Sequence, residues 1–379
     1  MKISVRNKCS DFNTYRAARV KSLFNAESGC NFSHDAELNI DDNDWQIGLI
    51  VGPSGSGKTS IARNIWGGTK IYNLYEGWRN DRPIVDDILV EGSLDDVTAN
   101  LAAVGLGDVP AWLRPFNVLS NGQQFRAGLA RLLCEKPELS IVDEFTSVVD
   151  RQIAKIGAQA FSKSFKRGSG SKVILISCHY DIIDWLEPDW VYDTATGEFA
   201  RGRLWRRPKF DLQIWKVNQS YWKHFKPHYY LDLPMPVAAE CFIGTVNDEL
   251  VCHVVVCPVF QGRLYRATRL VVMPEWQGAG VGTKFLEWVC EYHLQGNGRC
   301  NKKYKTMFHT SHPQLIGYLK RSKKWALKSQ QLFGGDKLRS VAAMKRSNSK
   351  TGSRTGNGAG YGGHFRAVQG FKYIGAQNA

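Results

Sequence analysis

The chain has 379 residues, of which 43% are hydrophobic and 22% are charged, and its formal net charge is +15 at pH 7. These values are typical of a soluble globular protein that is long enough for two or three domains. A helical membrane span is excluded, because no apolar run reaches the roughly 18 residues that a bilayer requires. The N-terminus lacks the apolar core of a signal peptide, so we expect a cytoplasmic protein without a membrane partner and with reduced cysteines.

The positive charge is concentrated in the C-terminal half. Residues 1–200 contain 21 Lys and Arg against 26 Asp and Glu, whereas residues 201–379 contain 29 against nine. The composition turns basic and Pro/Gly-punctuated around residues 197–208, which predicts one domain over 1–200 and another over 201–379. Dense Lys and Arg exchange counterions with phosphates, so the second domain is predicted to face nucleic acid. A basic surface without such a partner is the alternative.

The first domain contains a Gly-rich loop between an apolar strand at 45–51 and a helix. Its sequence, GPSGSGKTS, fits the pattern G-x-x-x-x-G-K-[ST], in which backbone amides wrap a β-phosphate and the lysine reaches β- and γ-oxygens. The final hydroxyl of the pattern ligates Mg²⁺. The pattern predicts a nucleoside triphosphate site formed by Gly52, Ser54, Gly55, Gly57, Lys58, Thr59 and Ser60.

A second group of polar residues lies in the stretch 119–150, LSNGQQFRAGLARLLCEKPELSIVDEFTSVVD. Apolar residues at helical spacing follow the Ser-Asn-Gly-Gln turn, so the turn is predicted to cap a helix whose free N–H groups form an anion site. A β-branched run at 141–142 predicts a buried strand that ends at Asp143 and Glu144. At this position the two carboxylates could bind a metal ion and orient an attacking water molecule.

Together with His179, which follows an apolar strand at 173–177, these motifs resemble those of the ATP-binding cassette (ABC) family in their order along the chain. The resemblance implies that Asp143 holds Mg²⁺ through water, beside the Thr59 hydroxyl. It also implies that Glu144 polarises the attacking water and that His179 contacts the γ-phosphate of ATP.

The same resemblance assigns LSNGQ to the family's signature and residues 147–150, which end at Asp150, to its D-loop. In this family the signature turn, here Ser120 and Gly122, acts on nucleotide held by the opposite subunit. One chain carries one set of motifs, so the resemblance implies a homodimer with two ATP molecules at its interface.

The chain also departs from the family. Lys58 and Ser120 are only 62 residues apart, which predicts a shortened helical subdomain. No convincing glutamine stands in 71–87 for the loop that couples cassettes to membrane domains, and Trp78 or Glu76 occupies that neighbourhood. Phe24 and Phe32 are the candidates for stacking on adenine.

The second domain begins with an aromatic segment at 215–231 whose spacing suits a helix packed on a sheet, although its interspersed lysines would also suit base stacking. Strands are predicted at 241–246, 250–259 and 270–272. A Gly-rich turn then precedes an amphipathic helix and forms another anion cradle. The predicted cradle residues are Gln277, Gly278, Gly280 and Gly282.

The turn resembles the Q/R-x-x-G-x-G/A motif of GNAT acyltransferases, and SHPQLIGYLKRSKKW resembles a later motif of the same family. The resemblance implies a mixed α/β domain in which the turn holds the pyrophosphate of acetyl-CoA and Tyr318 protonates the departing thiolate. The family more often has Asn and Ala where this chain has Ser311 and Gln314. A dinucleotide fold is the alternative for the turn, and a packed core tyrosine is the alternative for Tyr318.

The general base stays open among Glu240, His253, His228 and Glu275. The Gly/Ser/Arg-rich residues 345–364 predict a loop inserted before a strand at 365–375. We therefore expect an α/β chain in which a P-loop ABC-type domain is followed by a GNAT domain. The favoured function is an ATP-coupled N-acetyltransferase acting on a base amine of DNA or RNA. A nucleic-acid clamp with a non-catalytic GNAT module, and a protein-directed acetyltransferase, are the alternatives.

Overall fold

The computed structural model describes residues 2–8, 10–24, 31–38, 40, 45–89, 91–168, 170–201, 211–229, 235–236, 238–259, 263–331 and 368–375. The chain folds into two compact units. The first unit consists of residues 1–78 and 120–208, and the second consists of residues 79–119 and 209–379. The short helical segment 79–119, which we call the arm, therefore belongs to the second unit although the phosphate-binding loop and the signature turn lie on either side of it in sequence.

The described strands in chain order are β1 (Lys2–Lys8), β2 (Asn31–Glu37), β3 (Ile47–Val51), β4 (Leu139–Val142), β5 (Lys172–Ser177), β6 (Trp190–Asp193), β7 (Phe199–Arg201), β8 (Gln213–Val217), β9 (Glu240–Val246), β10 (Glu249–Val259), β11 (Leu264–Val272), β12 (Thr306–Thr310), β13 (Trp325–Gln331) and β14 (Val368–Tyr373). The described α-helices are α1 (Tyr15–Phe24), α2 (Lys58–Ile65), α3 (Ile84–Asp87), α4 (Leu94–Ala103), α5 (Val109–Trp112), α6 (Asn121–Glu135), α7 (Arg151–Phe165), α8 (Ile183–Leu186), α9 (Trp222–Phe225), α10 (Val281–Leu294) and α11 (Pro313–Arg321). None of the helices in these ranges is long and apolar enough to cross a membrane.

The first unit is built on a five-stranded sheet in the order β4-β5-β3-β6-β7. The first four strands are parallel, and β7 is antiparallel to β6. Every residue of β3 is buried, as expected for a parallel strand covered on both faces. Because parallel strands end at the same edge, the loops after β3, β4 and β5 are brought together, and these loops carry the phosphate-binding loop, the carboxylate pair and His179.

The second unit is built on a seven-stranded sheet in the order β13-β14-β12-β11-β10-β9-β8. Its neighbouring strands are antiparallel except for β11 and β12, which pair in parallel only over Tyr265–Ala267 and Thr306–Phe308. Beyond these residues β11 continues to Val272 and β12 to Thr310 without a shared ladder. The carboxyl ends of the two strands therefore form a fork, with the Gly-rich turn after one prong and α11 after the other.

Hydrogen bonds between side chains and backbone stabilise the arm, and the arm packs against other elements of the second unit. Ser93 caps α4 by accepting from the Asp96 N–H, and the indole N–H of Trp112 donates to the Leu106 carbonyl at 2.7 Å. Helix α4 packs against α11. The chain leaves α4 through Gly105, whose φ of +87° favours glycine. The described residues of the arm form three short helices, α3 to α5.

The aromatic segment at 215–231 corrects one prediction. Trp215 lies on strand β8 and not on a helix, and the helical part is only the four residues of α9. Trp222 and Phe225 of α9 pack on the His253 ring, with ring centroids 5.1 Å apart in both cases. The 3.6-residue spacing was ambiguous because a strand and a short helix follow one another within one aromatic run. The predicted loop at 345–364 lies outside the described residues.

Candidate functional site

The phosphate-binding loop joins β3 to α2 with its glycines in left-handed conformations. Gly55 has φ of +78° and Gly57 has φ of +84°, and Gly57 is the N-cap of α2. Lys58 donates from Nζ to the carbonyl oxygens of Gly52 and Pro53, at 2.8 and 2.7 Å. The lysine ammonium therefore lies against the loop that is predicted to surround the phosphates.

Thr59 and Asp143, the two residues predicted to hold Mg²⁺, lie next to each other. The Thr59 hydroxyl donates to Asp143 Oδ2 at 2.8 Å, across from the first turn of α2 to the end of β4. A hydroxyl and a carboxylate are oxygen ligands of the kind that Mg²⁺ prefers, and Mg²⁺ commonly keeps water and phosphate in its other positions. The pair therefore fits a Mg²⁺ ion bound together with a nucleotide.

Glu144 is exposed beside this pair. Its φ of +51° is unusual for a glutamate, and its N–H donates to Asp143 Oδ1 at 2.9 Å. The next residue, Phe145, is fully buried between Phe125 and Phe161, and its N–H donates to the Ile176 carbonyl at 2.8 Å. Burial of Phe145 thus fixes the backbone that holds the Glu144 carboxylate at the cavity.

A cavity of about 410 Å³ lies at this edge of the sheet, within the size range of small-molecule sites. It is lined by Ser54, Gly55, Gly57, Lys58, Thr59, Ser60, Asp143, Glu144, Ser147, Ile176, Ser177 and Cys178. Six residues of the predicted phosphate-binding loop and both carboxylates are thus brought together. The seventh loop residue, Gly52, lies behind the loop, where a Cβ would stand 1.9 Å from Thr194 Oγ1.

His179 follows the cavity-lining Cys178 and lies beside Thr146, with 3.4 Å between its Nδ1 and the Thr146 hydroxyl. Burial lowers the pKa of His179, and the nearby Arg151 lowers it further, while Asp181 opposes them. The imidazole is therefore predominantly neutral at pH 7, with one nitrogen able to donate and the other able to accept. Arg151 and Lys155 both form ion pairs with Asp181.

The signature and D-loop residues lie at the N-termini of α6 and α7. Ser120 caps α6 with a reciprocal pair of bonds, since its hydroxyl accepts from the Gln123 N–H and the Gln123 amide accepts from the Ser120 N–H. Asp150 caps α7 by accepting from the Gln152 N–H at 2.8 Å. Gly122 packs against α7, because a Cβ at this position would stand 2.8 Å from Ile153 Cδ1. These three residues are absent from the described lining of the 410 Å³ cavity.

Sequence reasoning missed Arg131, which holds the segment after α2. This buried arginine on α6 donates to the carbonyls of Asn73 and Glu76, both at 2.8 Å, and its guanidinium lies 4.3 Å from the centre of the Trp78 ring. Trp78 and Glu76, proposed from sequence for the neighbourhood of the coupling loop, are therefore anchored to the signature helix. A basic residue on an apolar helix face was the available signal. The side chains of Phe24 and Phe32 lie outside the described residues.

In the second unit the Gly-rich turn lies between β11 and α10. Gly278 and Gly280 have φ of +95° and +79°, and Gly280 is the N-cap of α10. Gly282 packs closely on β11, since a Cβ there would stand 2.7 Å from Val272 Cγ2. The Gln277 amide bridges two segments: its Nε2 donates to the Val272 carbonyl, and its Oε1 accepts from the Gly107 N–H.

Tyr318 lies on α11 with its hydroxyl bonded inside the unit. It donates to Glu287 Oε1 at 2.6 Å, and Lys324 donates to the other oxygen of the same carboxylate at 2.8 Å. Burial and then the Glu287 hydrogen bond raise the pKa of Tyr318 to about 12. In this arrangement the hydroxyl proton is directed at a glutamate, so an acid role requires that the bond to Glu287 be exchanged for one to the leaving group.

The structure narrows the four candidates for the general base. Burial favours a raised pKa for Glu240, but hydrogen bonds from His293, Lys216 and the Arg299 N–H outweigh it and lower the pKa to about 2. Burial lowers the pKa of His253 to about 4, and this residue has no exposed surface. At neutral pH Glu240 is therefore ionised and His253 is neutral, and both side chains are buried.

Comparison with known proteins finds relatives that are named as ATP-binding proteins. The chain is 28% identical over 159 residues to a zinc import ATP-binding protein, ZnuC 2 of Aliivibrio fischeri, which covers 37% of this chain and 64% of that protein. It is 33% identical over 158 residues to the ZnuC protein of Jannaschia sp., covering 36% of this chain and 63% of that protein. The chain thus spans less than two thirds of the length of these relatives.

Among solved structures, a dimeric post-hydrolysis state of the ATP-binding cassette MJ0796 bound to ADP and Pi aligns with 54% of this chain and all of that one. The TM-score is 0.37 and the sequence identity 15%. No protein-family model matches the chain. The shared motifs and the relatives agree that an ABC ATPase-type nucleotide-binding domain accounts for about 36% of the chain.

Proposed function

We propose that the chain is an ABC-type ATPase that acts as a homodimer and is coupled to an acetyl-CoA-dependent N-acetyltransferase unit acting on nucleic acid. The ATPase part rests on one observation above all, which is the Thr59–Asp143 pair beside Lys58 and Glu144 in the 410 Å³ cavity. Such a cluster combines phosphate binding, a metal position and a carboxylate that can orient water.

In this proposal the loop amides and Lys58 bind the phosphates of ATP, while Thr59 and Asp143 hold Mg²⁺, which neutralises charge on the phosphates. Glu144 accepts a hydrogen bond from the attacking water, and its fixed backbone orients the carboxylate. The neutral imidazole of His179 donates one hydrogen bond to the γ-phosphate. Catalysis then depends on positioning and electrostatics.

We base the homodimer on the N-termini of α6 and α7, whose cap residues Ser120 and Asp150 are absent from the described lining of the chain's own cavity. The N-terminus of α6 after Ser120 has the positive end of the helix dipole, which suits an anion, and its cap residue is exposed. Binding of ATP from a second copy would use this end of the helix. Glu144→Gln is therefore expected to bind ATP, to lose hydrolysis and to accumulate as a dimer in sedimentation velocity, and a variant that stays monomeric with ATP would contradict this part of the proposal.

The acetyltransferase part is supported by the forked strands of the second unit. The Gly-rich turn follows β11 at the point where β11 and β12 separate, and ligands of α/β proteins bind outside the carboxyl ends of strands at such points. Gly280 is exposed, and a Cβ there would meet no atom within 4 Å, so the turn is open on this side. The opening suits the pyrophosphate of acetyl-CoA.

Nucleic acid is the favoured acceptor because exposed aromatic and basic side chains share one face of the second sheet. Trp215 pairs with Ile243, which pairs with His253, so these residues lie on the face that carries α9. Trp215 is 53% exposed, and Tyr221, Lys223 and His224 are exposed beside it in sequence. Aromatic faces among cations suit single-stranded bases. Replacing Trp215 with Ala is expected to weaken single-strand binding, and the exposed Trp288 on α10 provides the matched control.

The decisive experiment incubates the full chain with labelled acetyl-CoA and separate pools of DNA, RNA and protein, with and without ATP. Label on nucleic acid would support the proposal, and label on protein alone would support a protein-directed acetyltransferase. A nucleic-acid clamp whose second unit does not catalyse would leave label on none of the pools while binding nucleic acid in an ATP-dependent way.

A second candidate comes from the relatives, whose names describe ATP-binding subunits of zinc importers. In that case the chain would supply ATP hydrolysis to a separate membrane protein. This candidate assigns no function to the basic second unit. The arm, residues 79–119, also groups with that unit and not with the rest of the cassette. Co-purification with a membrane subunit, together with ATPase activity that depends on it, would favour this candidate.

A further inference from the structure

The arm contacts the first half of the Gly-rich turn of the second unit. The Gly107 N–H donates to Gln277 Oε1 at 3.1 Å. A Cβ on Gly105 would stand 2.3 Å from the Gln277 carbonyl oxygen and 3.3 Å from the Gly278 nitrogen. The arm backbone therefore lies directly on Gln277 and Gly278 and excludes a phosphate from that end of the turn.

The other prong of the fork is contacted by the same short segment. A Cβ on Gly107 would stand 2.9 Å from His312 Nε2, and the His312 ring lies 6.4 Å from the Trp112 ring. His312 directly precedes α11, which packs against α4. Residues 105–107 thus lie against both the turn after β11 and the residue before α11.

We propose that the arm builds one wall of the acyl-CoA site, and that Gln277 is a positioning residue that docks the arm and orders the turn. This inference rests on the proposed acetyltransferase function. The Gln277 amide ties the end of β11 to the arm through one donor and one acceptor bond, which leaves the amides from Gly280 to Gly282 to face the pyrophosphate. Ordering these amides before binding removes an entropic cost from the affinity for coenzyme A.

The wall also links the site to the cassette through the chain itself. Leu119 of the arm is followed directly by Ser120, the cap of α6. A change in the α6 N-terminus on nucleotide binding would then act on the arm through Leu119. Thermodynamic linkage then requires that ATP and coenzyme A change each other's dissociation constant by the same factor.

The test is isothermal titration of free coenzyme A into the full chain and into Gly107→Val, whose branched side chain collides with His312 and Gln277. We expect the dissociation constant to rise about tenfold or more, because small misplacements of binding groups have effects of this size. Leu113→Ala, at an arm side chain that is 69% exposed, is the matched control and is expected to stay within about twofold of wild type.

A rescue experiment separates docking from a general loss of structure. Gly107→Ala is expected to weaken coenzyme A binding, and adding His312→Ala, which opens the space that the new methyl needs, is expected to recover part of the affinity. This pair replaces Gly107→Val if that variant unfolds. In the Glu144→Gln background, ATP is expected to shift the coenzyme A constant, and coenzyme A the ATP constant, by equal factors.

The outcomes are separable. If Gly107→Val binds coenzyme A as tightly as wild type or more tightly, the proposal that the arm forms a wall of the site is wrong, while the acetyltransferase proposal is unaffected. If Gly107→Ala weakens binding and adding His312→Ala recovers none of the affinity, the proposed wall is also wrong. Coenzyme A binding with equal affinity in the presence and absence of ATP overturns the linkage. A wild-type chain that binds ATP but no coenzyme A overturns the proposed function, and this inference with it.

Discussion

Arg131 provides a direct test of how the first unit orders the segment that follows α2. The perturbation is Arg131→Met, which keeps an unbranched apolar side chain close in length to the aliphatic part of arginine and removes the guanidinium. The native guanidinium donates two bonds of 2.8 Å to the carbonyls of Asn73 and Glu76 and stacks on Trp78. Tyr72 also donates to Glu135 of α6 at 2.6 Å and Leu74 lies against Gly128, so local opening of this segment reports the part of the attachment that Arg131 supplies.

The magnitude follows from these contacts. A hydrogen bond from a charged group contributes about 1.5–3 kcal/mol each. Asn73 and Glu76 are exposed, so water replaces part of both bonds, and we expect the free energy of local opening to fall by about 2–3 kcal/mol. This corresponds to roughly 30- to 140-fold faster amide exchange in residues 72–78.

Hydrogen–deuterium exchange with mass spectrometry measures this directly. The informative peptide includes Tyr72, whose N–H donates to the Ile141 carbonyl at 2.7 Å, and a peptide from α7 provides the internal reference. Arg131→Lys keeps the charge but not the planar fork, so an intermediate rate is expected. Exchange of 72–78 within about threefold of wild type in Arg131→Met would refute the anchoring role.

Three further predictions concern the candidate sites. Glu144→Gln should lower the ATPase rate by about 10²- to 10⁴-fold with little change in ATP affinity, as measured by single-turnover hydrolysis and equilibrium titration. Tyr318→Phe removes one donor from the partly buried Glu287 and should lower the free energy of unfolding by about 1–3 kcal/mol in a urea titration, whether or not acetyl transfer also slows. If transfer is unchanged, Tyr318 is not the acid. The pKa of His253 falls to about 4 on folding, so the unfolded form binds more protons and the free energy of unfolding decreases as the pH falls from 6.5 towards 4. His253→Phe should reduce that decrease by about 3 kcal/mol. Equal pH profiles of stability for wild type and variant would count against this prediction.

The cassette site was predictable because its information is local. Each functional group follows a strand directly: Gly52 follows β3, Asp143 follows β4 and His179 comes two residues after β5. Parallel strands end at one edge, so residues far apart in sequence but alike in their position after a strand converge. The spacing of glycine, lysine and hydroxyl within the loop is itself set by phosphate geometry.

Arg131 could not be predicted in the same way. Its partners are two backbone carbonyls 58 and 55 residues earlier, and carbonyls leave no trace in the amino-acid sequence. The helix predicted around Trp215 was wrong for a different reason. A strand and a four-residue helix follow one another within one aromatic segment, so the spacing of its aromatic residues fits neither element alone. The bond between Tyr318 and Glu287 was equally invisible, because it depends on the packing of two helices.

The two Gly-rich turns differ in what completes them. The turn after β3 follows a strand with parallel neighbours on both sides, β5 and β6. Strand β5 in turn pairs with β4, so residues that follow successive strands line one cavity. The turn after β11 has a single parallel neighbour, and the backbone that contacts it comes from residue 107, which lies 170 positions earlier in the chain. A polypeptide limited to residues 209–379 would therefore lack the partner of Gln277. Acetyl transfer should accordingly be sought in the full chain, because the arm that contacts the second turn lies in sequence between the two halves of the nucleotide-binding unit.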